Sequence, residues 1–289
     1  MFDTVCIVGV GLIGGSFGMA LREKRLARRV IGAVRRQATI DEGIARGALD
    51  EGTTDLLAAA READLIFMAP PVGQMISLCR QIADVVPQGA IITDAGSTKS
   101  SFVFECEEVF GERAHFVGGH PMAGSEQTGV EAARGDLFEG AMWILTPSSR
   151  TPPLALSTLT SMVQALGATP LSLDARAHDA ILAATSHLPH ISASALVHQF
   201  ARTREDAEVA DQLIAGGWRD STRVAAGSGE MWRDICLANA EAIETSLDEL
   251  IGDLEHVRSW VREGEGDKLR EWFEEAAQVR RAHGILPRK

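Results

Sequence analysis

The hexapeptide Gly9-Val10-Gly11-Leu12-Ile13-Gly14 constrains the fold of this chain more than any other segment. It follows the short apolar run Val5–Val8 and opens a helix-like pattern over Ile13–Lys24. In that setting each glycine answers a physical need. The first permits a tight turn, the second lets the backbone approach a pyrophosphate, and the third lets helix and strand pack closely. Free N–H groups at the helix N-terminus then face the phosphates. The segment predicts a dinucleotide site built on Gly9, Gly11, Leu12, Ile13 and Gly14. No G-x-x-x-x-G-K-[ST] segment is present to suggest a nucleoside triphosphate instead.

The pattern downstream agrees. Strand-like runs recur at Val5–Val8, Val30–Val34, Leu65–Ala69, Ala90–Asp94, Phe116–Gly118, Trp143–Thr146 and near Thr169–Leu173. Amphipathic helical patterns fall between them at Ile13–Lys24, Ile40–Arg46, Met75–Val86, Ser97–Phe110 and Leu154–Leu166. Such alternation predicts βαβ crossovers and a mainly parallel sheet covered on both faces. After Asp174 the strand signal stops, and Ala175–Phe200, Asp206–Ile214 and Glu230–Glu263 read as helix. The predicted α/β architecture is an N-terminal Rossmann-type dinucleotide-binding domain over residues 1–174 and an all-helical domain over 175–289. Apolar residues at Leu247, Leu250, Ile251, Leu254, Val257 and Val261 form a helix-period stripe suited to homodimerisation or to burial within one chain.

The end of the second strand sets the cofactor. A site for NAD places an acid there to accept both ribose hydroxyls, but this chain reads Val34-Arg35-Arg36. Val34 cannot accept a hydrogen bond, whereas Arg35 and Arg36 can pair with a 2′-phosphate. NADP is therefore expected to be preferred, with NAD possible; the alternative is that both arginines are solvated surface residues.

Charge and composition exclude other partners. Forty acidic and 28 basic side chains leave a net charge of −12 among 289 residues. That field opposes nucleic acid and anionic membrane alike, yet leaves room for a small anion held by a few local cations. The cysteines Cys6, Cys79, Cys106 and Cys236 form no C-x-x-C pair, so a reducing compartment fits. The N-terminus lacks a signal-peptide pattern and no unbroken apolar run reaches 18 residues, so a cytoplasmic enzyme is expected.

Three segments carry chemistry that a bland fold would not need. Asp94-Ala95-Gly96-Ser97-Thr98-Lys99 follows a predicted parallel strand, at the sheet edge where ligands of open α/β folds bind. Gly118-Gly119-His120-Pro121-Met122-Ala123-Gly124-Ser125-Glu126 follows another, with glycines beside an imidazole suited to proton transfer. Ser186-His187-Leu188-Pro189-His190 places two histidines three apart, on neighbouring positions of one helical face, beside a helix-kinking proline. Asp220-Ser221-Thr222-Arg223 adds paired charges after Gly216-Gly217. A metal site at His178, His187 and His190 lacks a supporting H-E-x-x-H or cysteine cluster, so no metal is expected.

Taken together these segments resemble the prephenate/arogenate (cyclohexadienyl) dehydrogenases of tyrosine biosynthesis. The likeness runs through Gly9–Ser16, Asp94–Lys99, Gly118–Gly129, Leu137–Pro147, His178–His190 and Gly216–Ala225, with Met231-Trp232 beyond. It implies oxidative decarboxylation of prephenate or arogenate with hydride transfer to a nicotinamide. In that likeness His120 matches the base that draws off the hydroxyl proton, and Ser97 the serine that bonds the hydroxyl. Arg223 and His190 match carboxylate-binding positions, His187 is their neighbour, and Glu126 and Asp220 match acidic positions at the pocket mouth. Many relatives carry Asp at the Val34 position, so the pattern for NAD is broken here. No residues beyond Lys289 supply a regulatory domain such as longer relatives carry, so any tyrosine feedback is expected to act at the active site. Two other readings compete: an NADP-dependent dehydrogenase of a small β-hydroxy acid, and a non-catalytic nucleotide-binding redox sensor. The first needs a lysine acid–base group in the helical half, and Ala175–Trp232 contains none. A sensor would not need His120, His190 and Arg223.

Overall fold

A computed structural model describes residues 2–124 and 127–282. The chain forms two compact units, Met1–Ala240 and Glu241–Lys289.

In the first unit the strands are β1 (Phe2–Val8), β2 (Ala27–Ala33), β3 (Glu51–Thr53), β4 (Leu65–Met68), β5 (Ile91–Asp94), β6 (His115–Pro121), β7 (Met142–Thr146) and β8 (Thr169–Ser172). They form one sheet in the order β3-β2-β1-β4-β5-β6-β7-β8. All pairings are parallel except β6 with β7. Val8, Met68 and Asp94 are in register across β1, β4 and β5, so the loops that follow these strands share one edge.

Alternation within the strands builds a core on each face. Val5, Ile7, Leu65 and Phe67 point to one side with Phe17 and Leu21 of α1 (Leu12–Glu23) and Leu159 of α6 (Pro153–Ala165). The Phe17 and Phe67 rings stack there at 4.0 Å. Cys6, Val8, Ile66 and Met68 point to the other side. They meet Met75, Cys79 and Ile82 of α4 (Met75–Ile82) and Cys106 and Phe110 of α5 (Val103–Phe110). Each fully buried side chain of this size contributes roughly 1.5–3 kcal/mol. Of the two remaining helices, α2 (Gln37–Ala45) sets Gly43 against Val10 and Leu49 of the first core, and α3 (Leu56–Arg61) adds Ala59 and Ala60 to the second. All four cysteines are free.

Four local features depart from the sequence expectation. β3 and α3, at three and six residues, are too short to show a period. The helix expected over Ser97–Phe110 begins only at Val103, because the N–H groups of Lys99 and Ser100 donate to the Asp179 carboxylate. β6 runs on to Pro121 because Gly118–Pro121 pair with β7, which puts His120 in the strand instead of the loop after it. The helix expected over Glu230–Glu263 breaks at Asn239.

Beyond the sheet come α7 (Ala175–Leu182), a π turn (Ala183–His187), α8 (Leu188–Asp206), α9 (Gly216–Thr222) and α10 (Gly229–Ala238). These helices belong to the first unit, and α7 is tied to the loop after β5 through Asp179, which accepts from the Lys99 and Ser100 N–H groups. The run Ala175–Asp206 has the length and mean hydropathy, 1.2, of a membrane-spanning helix. Its His178, Asp179, His187 and His190 are buried within this unit, whereas most of its C-terminal half is exposed. The second unit holds α11 (Ala240–Glu263) and α12 (Gly266–Ala282). The predicted α11 stripe is largely uncovered, with Ile251 52% and Leu254 55% exposed.

Candidate active site

The sheet edge is organised by one buried carboxylate. Asp94 Oδ2 accepts from the Gly96 N–H at 2.7 Å and from the Lys99 ammonium at 2.5 Å, while Oδ1 accepts from the Gly119 N–H at 2.9 Å. Both charged side chains are 0% exposed. Burial pushes the Asp94 carboxyl up and the Lys99 amine down, and their mutual bond opposes both shifts. A Cβ at Gly119 would sit 2.5 Å from the Asp94 carbonyl oxygen, and one at Gly118 would collide with Thr146 Oγ1. The glycines before His120 thus make room for this network.

His120 stands one residue beyond Gly119 and is 9% exposed. Its Nδ1 lies 2.9 Å from His178 Nε2, and His178 Nδ1 lies 2.7 Å from Asp179 Oδ1. With one proton on each ring, the carboxylate fixes the direction of the chain. His178 donates from Nδ1 to Asp179 and accepts at Nε2 from His120 Nδ1–H, leaving His120 Nε2 as a bare base. Burial raises the Asp179 pKa, but donors from His178, Ser100 and the Lys99 N–H more than offset it, and the net direction is downward. Burial holds His120 well below 6.5, helped by Lys99, His178 and His187. A neutral imidazole beside an oriented His–Asp pair can take a proton and have the resulting charge stabilised.

The π turn delivers the next two histidines. Pro189 lacks an N–H and its ring clashes with the carbonyl four residues back, which favours a widened turn just before it. His187 closes that turn, and His190 sits in the first turn of α8. Trp232 of α10 stacks on His190 with centroids 3.5 Å apart and meets His187 edge-on at 6.1 Å. Burial lowers His187 to about 4 and also lowers His190.

Of the other residues singled out from sequence, Ser97 is half-buried in the β5–α5 loop. Asp220 lies on α9 and Arg223 opens the short turn Arg223–Ala226, which packs on α8. Both are exposed, and the structure brings neither into an ion pair or hydrogen bond with the histidines among the described residues. Glu126 lies outside the described residues.

The glycine loop fits a dinucleotide. Gly9 has φ +91°, and a Cβ there would lie 2.8 Å from the Ala69 carbonyl oxygen; a Cβ on Gly14 would collide with the Gly9 carbonyl oxygen. Gly11 has open space where its Cβ would be and caps α1 with no side-chain bond, so the N–H groups of that first turn await an acceptor. Leu12 and Ile13 pack against the core below. A cavity of about 560 Å³ extends from Gly9 and Gly11 to Val34, Arg35 and Arg36. Both arginines are exposed and form no ion pair among the described residues.

Sequence reasoning missed the roles of His178, Asp179 and Asn239. Adjacent residues on a helix do not face one another as a rule, so His178-Asp179 carries no spacing signal. Asn239 lies far along the chain from both groups that its amide reaches, Asp179 and His187.

Comparison with known proteins converges on one group. The family described as "Prephenate dehydrogenase, nucleotide-binding domain" matches residues 17–171, and "Prephenate dehydrogenase, dimerization domain" matches 174–275. The chain is 34% identical to a prephenate dehydrogenase of Bacillus subtilis, over 99% of this chain and 79% of that protein. It is 33% identical to a cyclohexadienyl dehydrogenase of Zymomonas mobilis, over 99% of both. A crystal structure of Aquifex aeolicus prephenate dehydrogenase with hydroxyphenyl propionate and NAD+ superposes with a TM-score of 0.91 at 30% identity, covering 98% of each chain. A 3-hydroxyisobutyrate dehydrogenase from Salmonella typhimurium, at 14% identity and a TM-score of 0.58 over 86% of this chain and 88% of that one, shares the fold alone. The chain belongs to the prephenate dehydrogenase family.

Proposed function

We propose that this enzyme oxidatively decarboxylates prephenate or arogenate, giving 4-hydroxyphenylpyruvate or tyrosine, and that it prefers NADP over NAD. The observation that carries the chemistry is the chain His120–His178–Asp179, which leaves His120 Nε2 free as a base at the carboxyl edge of the sheet. Gly9, Gly11, Leu12, Ile13 and Gly14 would hold a nicotinamide cofactor, which would supply the acceptor for the hydride on the ring carbon that bears the hydroxyl. His120 Nε2 takes the hydroxyl proton as that hydride leaves, and His178 with Asp179 stabilises the imidazolium. Loss of carbon dioxide leaves its electron pair in the ring, which becomes aromatic, and the proton returns from His120 to the phenolate oxygen. Ser97 bonds the hydroxyl and orients it toward His120.

The substrate's carboxylates need local donors, because burying them unpaired is costly. Arg223, His190 and His187 take that role, with Asp220 and Glu126 at the mouth of the pocket. Residues 1–174 then hold the cofactor, and 175–289 bind substrate and form a homodimer. The match of 174–275 to a dimerization domain and the uncovered apolar side chains of α11 support that assembly, and the four free cysteines fit a reducing, cytoplasmic location. The NADP preference is supported by Arg35 and Arg36, which have no ion pair among the described residues and lie at the far end of the glycine-loop cavity, beside a Val34 that cannot accept from a ribose. Steady-state rates with prephenate and with arogenate, each with NADP and with NAD, test the whole reading. No turnover with either substrate overturns the chemistry, and a lower KM for NAD than for NADP overturns the cofactor preference.

A further inference from the structure

Asn239 caps the C-terminus of α10 and is buried, 5% exposed. Its Nδ2 lies 2.9 Å from the Asp179 carbonyl oxygen and 3.1 Å from His187 Nδ1. These two contacts settle each other. A backbone carbonyl only accepts, so the Asn239 atom facing it is the amide nitrogen and not the oxygen. An amide NH₂ only donates, so His187 Nδ1 is the acceptor and its proton sits on Nε2. That Nε2 is itself buried and has no hydrogen-bond partner among the described residues. A buried N–H without an acceptor is unfavourable in a folded protein and calls for an explanation.

The surroundings give one. Trp232 meets the His187 ring edge-on and stacks on His190, so the unpaired N–H belongs to the same cluster as the proposed carboxylate-binding histidine. The titratable groups that bear on His187 are Asp179 and His178, and burial outweighs the carboxylate's attraction, so the ring stays uncharged near neutrality. We propose that Asn239 is a positioning residue that locks His187 as an uncharged Nε2–H donor to an oxygen of the bound substrate. The assignment rests on the reading of the site given above.

Two measurements test it. In the full-length enzyme with ¹⁵N-labelled histidine, the His187 resonances, assigned by their loss in His187→Gln, are expected to show a protonated Nε2 and a bare Nδ1 at neutral pH. Prephenate added without cofactor is expected to shift the Nε2–H signal. Asn239→Leu is expected to raise KM for prephenate about tenfold, the scale of one lost hydrogen bond, with kcat and the cofactor constant changing far less. A proton on Nδ1 in the wild-type enzyme, or a wild-type KM in folded Asn239→Leu, overturns the role of Asn239. If Asn239→Leu does not fold, the wild-type tautomer still decides. A wild-type enzyme that turns over neither prephenate nor arogenate brings down the underlying reading of the site; the wrong tautomer in an active enzyme brings down only the part played by Asn239.

Discussion

The Nδ1 of His120 and the Nε2 of His178 are 2.9 Å apart, and His178 passes the contact on to Asp179. Orientation of the base thus depends on a residue 58 positions away along the chain. Replacing the base itself, His120→Asn, is expected to lower kcat by about 10²–10⁴, the usual range for a positioned acid–base group. His178→Asn leaves the base in place but unoriented, and its loss is expected to be smaller, about tenfold to a hundredfold. Cofactor affinity, measured by fluorescence titration, stays unchanged in both. Equal rates in wild type and His178→Asn remove the relay from the mechanism.

The pH profile follows from the same burial. His120 is held well below 6.5 and must be neutral to accept the hydroxyl proton. The enzyme is therefore competent throughout the neutral range, and the acid limb of kcat/KM falls below pH 6.5. An acid limb at pH 7 or above contradicts a desolvated His120.

The glycine loop, the alternating strands and the segments around His120 and His187 were legible in the sequence because each has a local physical signature. A φ of +91° at Gly9 calls for glycine, and the unbroken apolar run Val5–Val8 matches a strand buried on both faces. The contacts that make these segments into a site were not legible. Lys99 and Ser100 leave their expected helix to bind Asp179, 80 and 79 residues away. Asn239 interrupts a continuous apolar pattern to reach Asp179 and His187. Such bonds join elements far apart in the chain, and no periodicity encodes them.

The Asp94–Lys99 pair couples stability to this geometry. Lys99→Met strands a carboxylate that is 0% exposed, and the expected loss is about 3–5 kcal/mol by chemical denaturation. In Asp94→Asn/Lys99→Met the residual oxygen can still accept from one of the two N–H groups while no charge is left unpaired, so more than half of that loss is expected to return. Additive losses in the double variant would show that the two side chains act separately.

His187 makes folding sensitive to mild acid. Its folded pKa is about 4 against 6.5 for the free side chain. Between those values the unfolded chain binds a proton that the folded chain refuses, so unfolding free energy falls as pH drops from 6.5 toward 4. Urea denaturation at fixed protein concentration is expected to show a shallower pH slope for His187→Gln than for the wild type. Parallel slopes would mean that His187 is protonated as readily folded as unfolded.

The paired arginines after β2 give the sharpest cofactor test. Arg35 and Arg36 are exposed at the edge of the glycine-loop cavity, and neither is engaged in an ion pair among the described residues. A 2′-phosphate there gains charge-assisted hydrogen bonds of about 1.5–3 kcal/mol, which is roughly tenfold to over a hundredfold in affinity. Arg35→Ala/Arg36→Ala is therefore expected to raise KM for NADP by that factor and to leave KM for NAD within about twofold, because NAD offers no phosphate at that position. The effect on NADP is expected to shrink as ionic strength rises, since both guanidinium groups stand in solvent. Equal changes for the two cofactors would mean that the arginines act on something common to both, such as the adenine or the pyrophosphate, and the preference would then have to come from another part of the loop.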